Sequence, residues 1–397
     1  MKCEIKTLGE VAQYINGRAF KPSEWETSGK PIIRIQNLTG TSEKVNYSSK
    51  EYDEKYHIKK GDLLFAWSAS LGAHIWAGED AWLNQHIFKI VPNESMNKKY
   101  IYYFLQKVVA ELYMQTHGSG MVHITKKPFF STKIPVPPIA EQERIVARIE
   151  ELFSQLDKAV ETLQMVKEQL VVYRQAVLKD AFEGSLTNSI KIETVNLASL
   201  IEKPRYGTSK KCIYDKTETA IPVYRIPNIN HHLGVVSHAD LKYAEFANDE
   251  LKALNLESDD LLLIRSNGSV TLVGRAALIN QKDLGATFAG YLIRIRIKDT
   301  SVLRAKYLLL YLQSFEARCY IENKAKSTSG VHNINSEEIK ELNVPLFEIG
   351  EQDKIIEAIE VRLSIYDKIS ETVESILNQT EAMRQSILKQ AFEGELA

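Results

Sequence analysis

The thirteen residues from Arg174 to Leu186, RQAVLKDAFEGSL, return from Arg384 to Leu396 as RQSILKQAFEGEL, with nine positions identical and no gap. A repeat on this scale constrains the architecture before any single residue is read, because two related units in one chain imply a pseudo-symmetric molecule. Upstream, at the same offset of 210, Glu351-Gln352 matches Glu141-Gln142, Pro345 matches Pro135 and Gly330 matches Gly120. The offset then shrinks to 207 at Tyr307-Leu308 against Tyr100-Ile101, to 198 at Asp260-Leu261-Leu262 against Asp62-Leu63-Leu64, and to 191 at Pro222 to Ile226 against Pro31 to Ile35. The second half has therefore gained about nineteen residues in small instalments. Insertions that keep an apolar framework in register belong in surface loops, where binding specificity usually sits. The halves share a frame and differ in what it presents.

After Pro137-Pro138 an apolar seam runs through Ile145, Ile149, Leu152, Leu156, Ala159, Leu163, Val166, Leu170, Tyr173 and Val177 in alternating steps of four and three. The second copy gives Ile355, Ile359, Arg362, Tyr366, Ile369, Val373, Ile376, Thr380, Met383 and Ile387. These are heptad stripes, and at 1.5 Å per residue each seam predicts roughly 50 Å of helix. Glu141, Glu143, Glu351 and Asp353 suit the first turns, and Gly184 and Gly394 stand where C-terminal caps belong. Seams of equal length predict that the helices pair with each other, antiparallel, through Ile145, Ile149, Leu152, Leu156, Leu163, Leu170, Ile355, Ile359, Tyr366, Val373, Ile376 and Met383. The expected fold is α+β: mixed modules over 1–138 and 187–348, separated by helices over 139–186 and 349–397. Short apolar segments at Pro31 to Ile35, Asp62 to Ala66 and Ile87 to Ile90 predict strands, and Tyr100 to Gln106 and Tyr307 to Gln313 predict one helix per module.

Apolar residues at 44% and charged residues at 25% are ordinary for a globular protein. Cys3, Cys212 and Cys319 are odd in number and lack metal-ligand spacing, which reads as reduced thiols of a cytoplasmic protein. No run approaches the roughly 18 apolar residues of a membrane span. The net charge of -1 conceals a division, because residues 139–182 and 349–392 together sum to -5 and the remainder to +4. That excess removes an objection to a polyanionic partner without arguing for one.

Sequence motifs for catalysis are missing: the chain has no phosphate-binding loop ending in Lys-Ser/Thr, no dinucleotide fingerprint and no Asn/Asp-Pro-Pro-Tyr/Phe motif of amino-methyltransferases. His231, His232 and His238 cluster without a matching carboxylate or cysteine pattern, so no metal site is expected and they read as solvated. Gly61-Asp62 and Asp259-Asp260 read as turn formers before buried strands.

Binding is easier to argue. Lys203 to Lys211 sets four cations, three hydroxyls and a glycine into nine residues, suited to phosphate contacts and a base-edge arginine. From it come Arg205, Tyr206, Thr208, Ser209, Lys210 and Lys211, and from its counterpart Asn16, Arg18 and Lys21. Trp67, Ser68 and Ser70 answer Arg265, Ser266, Asn267 and Ser269. A further pair of clusters gives Ser119 and His123 against Lys326 and Ser327. Asn84, Gln85 and His86 add groups able to read purine edges. Together they predict DNA readout.

At this point the pattern resembles the specificity subunit of type I restriction-modification systems. The resemblance is carried by Pro-Val-Pro-Pro-Ile-Ala-Glu-Gln-Glu-Arg-Ile from Pro135 to Ile145, its echo from Pro345 to Ile355, the paired RQ-x-x-LK-x-AFEG-x-L endings and the Gly61-Asp62-Leu63-Leu64 strand entry. It covers essentially the whole chain, departing at Leu346-Phe347-Glu348-Ile349, where the first copy reads Val136-Pro137-Pro138-Ile139. The resemblance implies a non-catalytic subunit whose two target-recognition domains each read half of a split double-stranded DNA sequence. Its helices would act as spacer and dock two methyltransferase subunits, with endonuclease-translocase subunits joining them. S-adenosylmethionine, ATP and Mg would be held on those partners only. The alternatives are a coiled-coil scaffold presenting two protein-binding modules and, more remotely, a self-contained restriction or modification enzyme, which would need a catalytic motif.

Overall fold

The computed structural model describes residues 3–115, 126–188, 190–191, 193–328 and 330–396. The chain forms two compact units, the first from residues 1–164 with 374–397 and the second from residues 165–373. Each unit combines one mixed module, part of one long helix and part of the other.

In the first unit, Leu63–Ala66 is an uninterrupted apolar run, buried throughout. Such a strand must be covered on both faces. Leu63 and Phe65 enter one core with Tyr100, Ile101 and Phe104, while Leu64 enters another with Ile33, Ile58 and Leu83, as the two-residue period of a strand requires. It is an inner strand of a four-stranded antiparallel sheet, ordered Ala12–Asn16, Ile87–Pro92, Leu63–Ala66, Gly72–Ile75. A second, mixed sheet pairs Lys30–Ile33 in parallel with Ala81–Leu83. The module's helix, Lys98–Gln115, packs over the first sheet.

The second unit repeats the plan. Leu261–Ile264 is equally buried, with Leu261 and Leu263 in one core and Leu262 and Ile264 in the other. Its antiparallel neighbours are Leu292–Ile295 and Ala276–Leu278. Asp62 and Asp260 close the turns before these strands, accepting from the Lys59 and Glu257 backbone N–H at 2.9 and 2.8 Å. The residue ahead of each has positive φ, 90° at Gly61 and 69° at Asp259.

The long helices run Ile139–Phe182 and Ile349–Glu393. Gln142 and Gln352, both fully buried, fasten their first turns to the modules. Gln142 accepts from the Asn97 N–H at 2.8 Å and donates to the Ser95 and Pro137 carbonyls at 2.9 and 2.8 Å. Gln352 accepts from Arg304 N–H at 2.9 Å and donates to Val302 and Phe347 at 2.8 and 2.9 Å. Phe347, which replaces Pro137, is buried in the core, so the second copy anchors this junction with a side chain instead of a proline pair.

The helices lie antiparallel. In the first unit Ile145 and Ile149 share a core with Leu388 and Ala391, while Arg384 pairs with Asp157 further along. In the second, Leu178, Ala181 and Phe182 join Ile355 and Ile359, and half-buried Arg174 lies within the field of Tyr366 and Asp367. Arg174 and Asp367 stand at the repeat-equivalents of Arg384 and Asp157, but Arg174 donates to Gln313 Oε1. The predicted seam needs correction here: Met383 is 52% and Ile376 40% exposed, and Tyr173 and Ile369 also face outward. The seam instead takes the following residue at each of these steps, Arg174, Ser370, Leu377 and Arg384. A helix of 3.6 residues per turn drifts against a 3.5 repeat, and an apolar stripe steps onto Tyr and Met in preference to an arginine whose partner, Gln313 for Arg174 and Asp157 for Arg384, lies far away in the sequence. Ala159 is likewise exposed, with Val160 half-buried in its place, and the other predicted positions are buried or half-buried.

Each helix ends on the module other than the one it directly follows in the chain. Phe392 packs against Tyr100 and Phe104, ring centroids at 5.0 and 5.2 Å. Phe182 packs against Tyr307 and Tyr311 at 5.2 and 5.1 Å. Gly184 and Gly394, both at φ 84°, end these segments as left-handed caps.

Candidate nucleic-acid interface

In both modules a backbone crossing brings the first basic loop onto the end of a central strand. Gly17 N–H donates to Ile87 O at 2.9 Å, and Gly207 to Leu292 O at 3.4 Å. A Cβ on Gly17 would sit 2.0 Å from the Asn84 carbonyl oxygen, and one on Gly207 2.2 Å from that of Phe288. Only glycine allows this approach. The crossing places the residue before each glycine beside the residue that follows the buried strand. In the first module this joins Asn16 and Trp67, whose indole N–H donates to Asn16 Oδ1 at 3.1 Å. In the second it joins Tyr206 and Arg265, the guanidinium carbon lying 4.5 Å above the ring centroid. The third member is His86 in one module and Tyr291 in the other, fixed by equivalent backbone bonds from Trp67 N–H to His86 O at 3.1 Å and Arg265 N–H to Tyr291 O at 2.8 Å. His86 is held at φ 72° with its ring 4.8 Å from that of Trp67. Tyr291 is 64% exposed.

The second module opens here into a cleft of about 640 Å³ lined by Tyr206 to Lys210, Cys212, Arg225 to Pro227, Lys242, Arg265 and Ala289 to Tyr291. Most of its cations are engaged. Lys210 pairs with Glu250 at 2.6 Å and lies over Phe246; Arg225 donates to Asp240 Oδ2 at 2.8 Å; Lys242 lies over Tyr214. Arg205, Ser209 and Lys211 are exposed. Thr208 and Ser266 are buried and serve the frame, as do Ser68 and Asn84 in the first module. Asn267 Oδ1 accepts from the Ser269 N–H at 2.9 Å, shaping an exposed turn. Lys326 and Ser327 lie on the strand Lys326–Thr328, and their side chains, like Ser119 and His123, lie outside the described residues.

In the first module Arg18 is committed to Glu24 at 2.7 Å and sits over Tyr52 at 4.3 Å. That hydrogen bond, with one from the Lys21 N–H, pushes the Glu24 carboxyl down to about 2. Arg18 is therefore a strut of its loop, whereas Lys21, Ser70 and Gln85 are exposed. The histidines expected to cluster divide: the His231 and His232 rings meet at 4.1 Å, tilted by 36°, and His238 bonds the buried Asp283 at 2.6 Å. Among the described residues no group of three or more His, Cys, Asp or Glu is placed to hold a metal ion, and no helix is long and apolar enough to cross a membrane.

Sequence reasoning named Asn16, Trp67, His86, Tyr206 and Arg265 separately, without the three-position constellation. It missed Tyr291 altogether. The repeat held the information, since position 16 aligns with 206, 67 with 265 and 86 with 291.

A duplicated frame that sets different chemistry at matched positions, each copy followed by a long helix, defines a two-module recognition protein. The profile of the type I restriction modification DNA specificity domain matches residues 2–168 and again 190–382. The chain belongs to that family. It is 27% identical to the type I restriction enzyme EcoBI specificity subunit of Escherichia coli over 98% of this chain and 85% of that one. It is also 27% identical to the EcoKI specificity subunit of Escherichia coli strain K12, over 99% and 89% respectively. Its fold resembles a chain from a structural study of complex assembly and conformational transition in a type I restriction-modification system, at TM-score 0.72 and 17% identity over 99% and 98% of the two chains. The HsdS subunit of Thermoanaerobacter tengcongensis matches at TM-score 0.54 and 16% identity over 99% and 97%.

Proposed function

We propose that this chain is the DNA-specificity subunit of a type I restriction-modification complex, each module reading one half of a bipartite sequence. The observation that carries this is the matched trio of positions, Asn16/Trp67/His86 and Tyr206/Arg265/Tyr291, on one frame. Two copies of one reader with different reading groups suit a site whose halves differ. The long helices set the gap between the half-sequences. They also dock the methyltransferase subunits, for which exposed Val171, Val172, Val361 and Ile365 offer apolar contact area. In this reading the chain carries no reacting group; S-adenosylmethionine, ATP and Mg are held on the partner subunits, and endonuclease-translocase subunits complete the assembly.

The test is to produce the chain with its methyltransferase partner and map methylated bases across the host genome. A split motif, replaced in one half only when residues lining one module's trio are exchanged, is the expected result. Methylation that is absent, or confined to one continuous sequence, would count against the reading.

A further inference from the structure

The two trios differ most at the position following the buried strand, Trp67 in the first module and Arg265 in the second. We propose that Arg265 is a specificity-determining residue that reads a guanine in the half-sequence addressed by the second module. The inference rests on the DNA-reading role above and adds the base to it.

The guanidinium is held but not neutralised. Tyr206 lies beneath it, and that ring is itself tied at its far end, the phenolic oxygen accepting from Ser336 N–H at 2.8 Å and bonding Ser336 Oγ at 3.2 Å. The backbone of Arg265 is clamped on both sides, donating to Tyr291 O at 2.8 Å and accepting from Ile334 N–H at 3.0 Å. Nε is buried without a hydrogen-bond partner among the described residues. No carboxylate of the described residues pairs with this side chain, whereas Arg225 and Lys210 in the same cleft face Asp240 and Glu250.

A planar fork of donors, stacked on an aromatic ring and unpaired with an acid, fits the O6 and N7 acceptors of guanine in the major groove. A phosphate contact would be served by the exposed Arg205 and Lys211, which need no fixed plane. The first module has no cation at the equivalent position, and its nearby Arg18 is committed to Glu24.

The experiment maps methylated motifs for the wild-type complex and for complexes carrying Arg265→Ala and Arg265→Gln. In the alanine variant, discrimination at one G·C pair of the second half-sequence should fall about 5- to 150-fold. The first half-sequence and the gap should stay as they were. The glutamine variant keeps a polar side chain of similar reach and should lose the guanine preference or move it towards adenine. If alanine leaves the complex misfolded by thermal melting, the glutamine variant decides alone. An unaltered motif in the folded variant overturns the proposal, whether methylation proceeds at full rate or is slowed uniformly, since uniform slowing marks a phosphate contact. A wild-type complex with no two-part motif would instead remove the parent reading.

Discussion

Gln142 and Gln352 show how much one side chain can hold. Each is fully buried and bonds one backbone N–H and one carbonyl of the loop ahead of the module's helix, and one carbonyl of the turn into the long helix. Replacing Gln142 by Ala strands those groups, at about 1–3 kcal/mol for a buried unsatisfied polar group. The expected outcome is a loss of that order in chemical denaturation of the first unit, against a change within error for the exposed Gln85→Ala. A second residue-scale expectation concerns acid. Burial beside His232, Arg275, Arg318 and Arg174 pushes the His231 imidazole down to about 4 from 6.5. The unfolded chain therefore takes up that proton first, so stability is full above about 6.5 and falls as the pH drops towards 4. The melting temperature of His231→Asn should decline less steeply than wild type across that window. Parallel declines would show that another group carries the acid sensitivity.

At the scale of elements, the repeated Ala-Phe-Glu-Gly endings are docking segments. Phe182 is buried between Tyr307 and Tyr311. Its truncation to Ala should cost about 3–5 kcal/mol, the range for a large aromatic in a core. Hydrogen exchange should quicken in Ala305–Tyr311 and leave Lys98–Gln115 as it was; equal loss in both would mean that the segment does not belong to the second unit alone. The helices also carry a prediction about length. One heptad inserted after Leu163 and one after Val373 keeps the seam in phase and lengthens each helix by roughly 10 Å. The methylated motif should retain both half-sequences with a gap wider by about 3 base pairs. An unchanged gap with activity preserved would show that the helices are not the ruler.

For the whole molecule, a fragment ending at Thr187 holds the first module and the first helix but lacks residues 374–397, which complete the first unit's core. Its own Arg174 to Leu186 segment shares nine of thirteen residues with the missing one. Two copies should therefore associate, each docking Phe182 where Phe392 packs against Tyr100 and Phe104. Each buried Leu or Ile of the seam adds about 1.5–3 kcal/mol to that association. Sedimentation at micromolar concentration should find a dimer, and with the methyltransferase partner the modified site should be an inverted repeat of the first half-sequence. A stable monomer, or an asymmetric site, would refute the exchange of helix ends.

The duplication, the two long helices and the doubly buried strands were all legible in the residues, because periodicity, glycine caps and uninterrupted apolar runs are local consequences of helix and strand geometry. So were the loops that carry the candidate site, since the halves differ there in length and charge. Three matters depended on the tertiary structure. The seam accepts Arg174 and Arg384 in place of Tyr173 and Met383 because each guanidinium finds a partner remote in sequence, Gln313 for Arg174 and Asp157 for Arg384, pairings that no one-dimensional pattern contains. The Phe182 and Phe392 segments pack on aromatic side chains remote in sequence, Tyr307 with Tyr311 and Tyr100 with Phe104. Trp67 and Arg265, already equivalent in the repeat, were joined to Asn16 and His86 and to Tyr206 and Tyr291 only where the chain crosses itself at Gly17 and Gly207, where the backbone approaches too closely for any side chain. Sequence set what each element is, through local geometry and burial; tertiary packing decided which elements meet, and so which side chains act together.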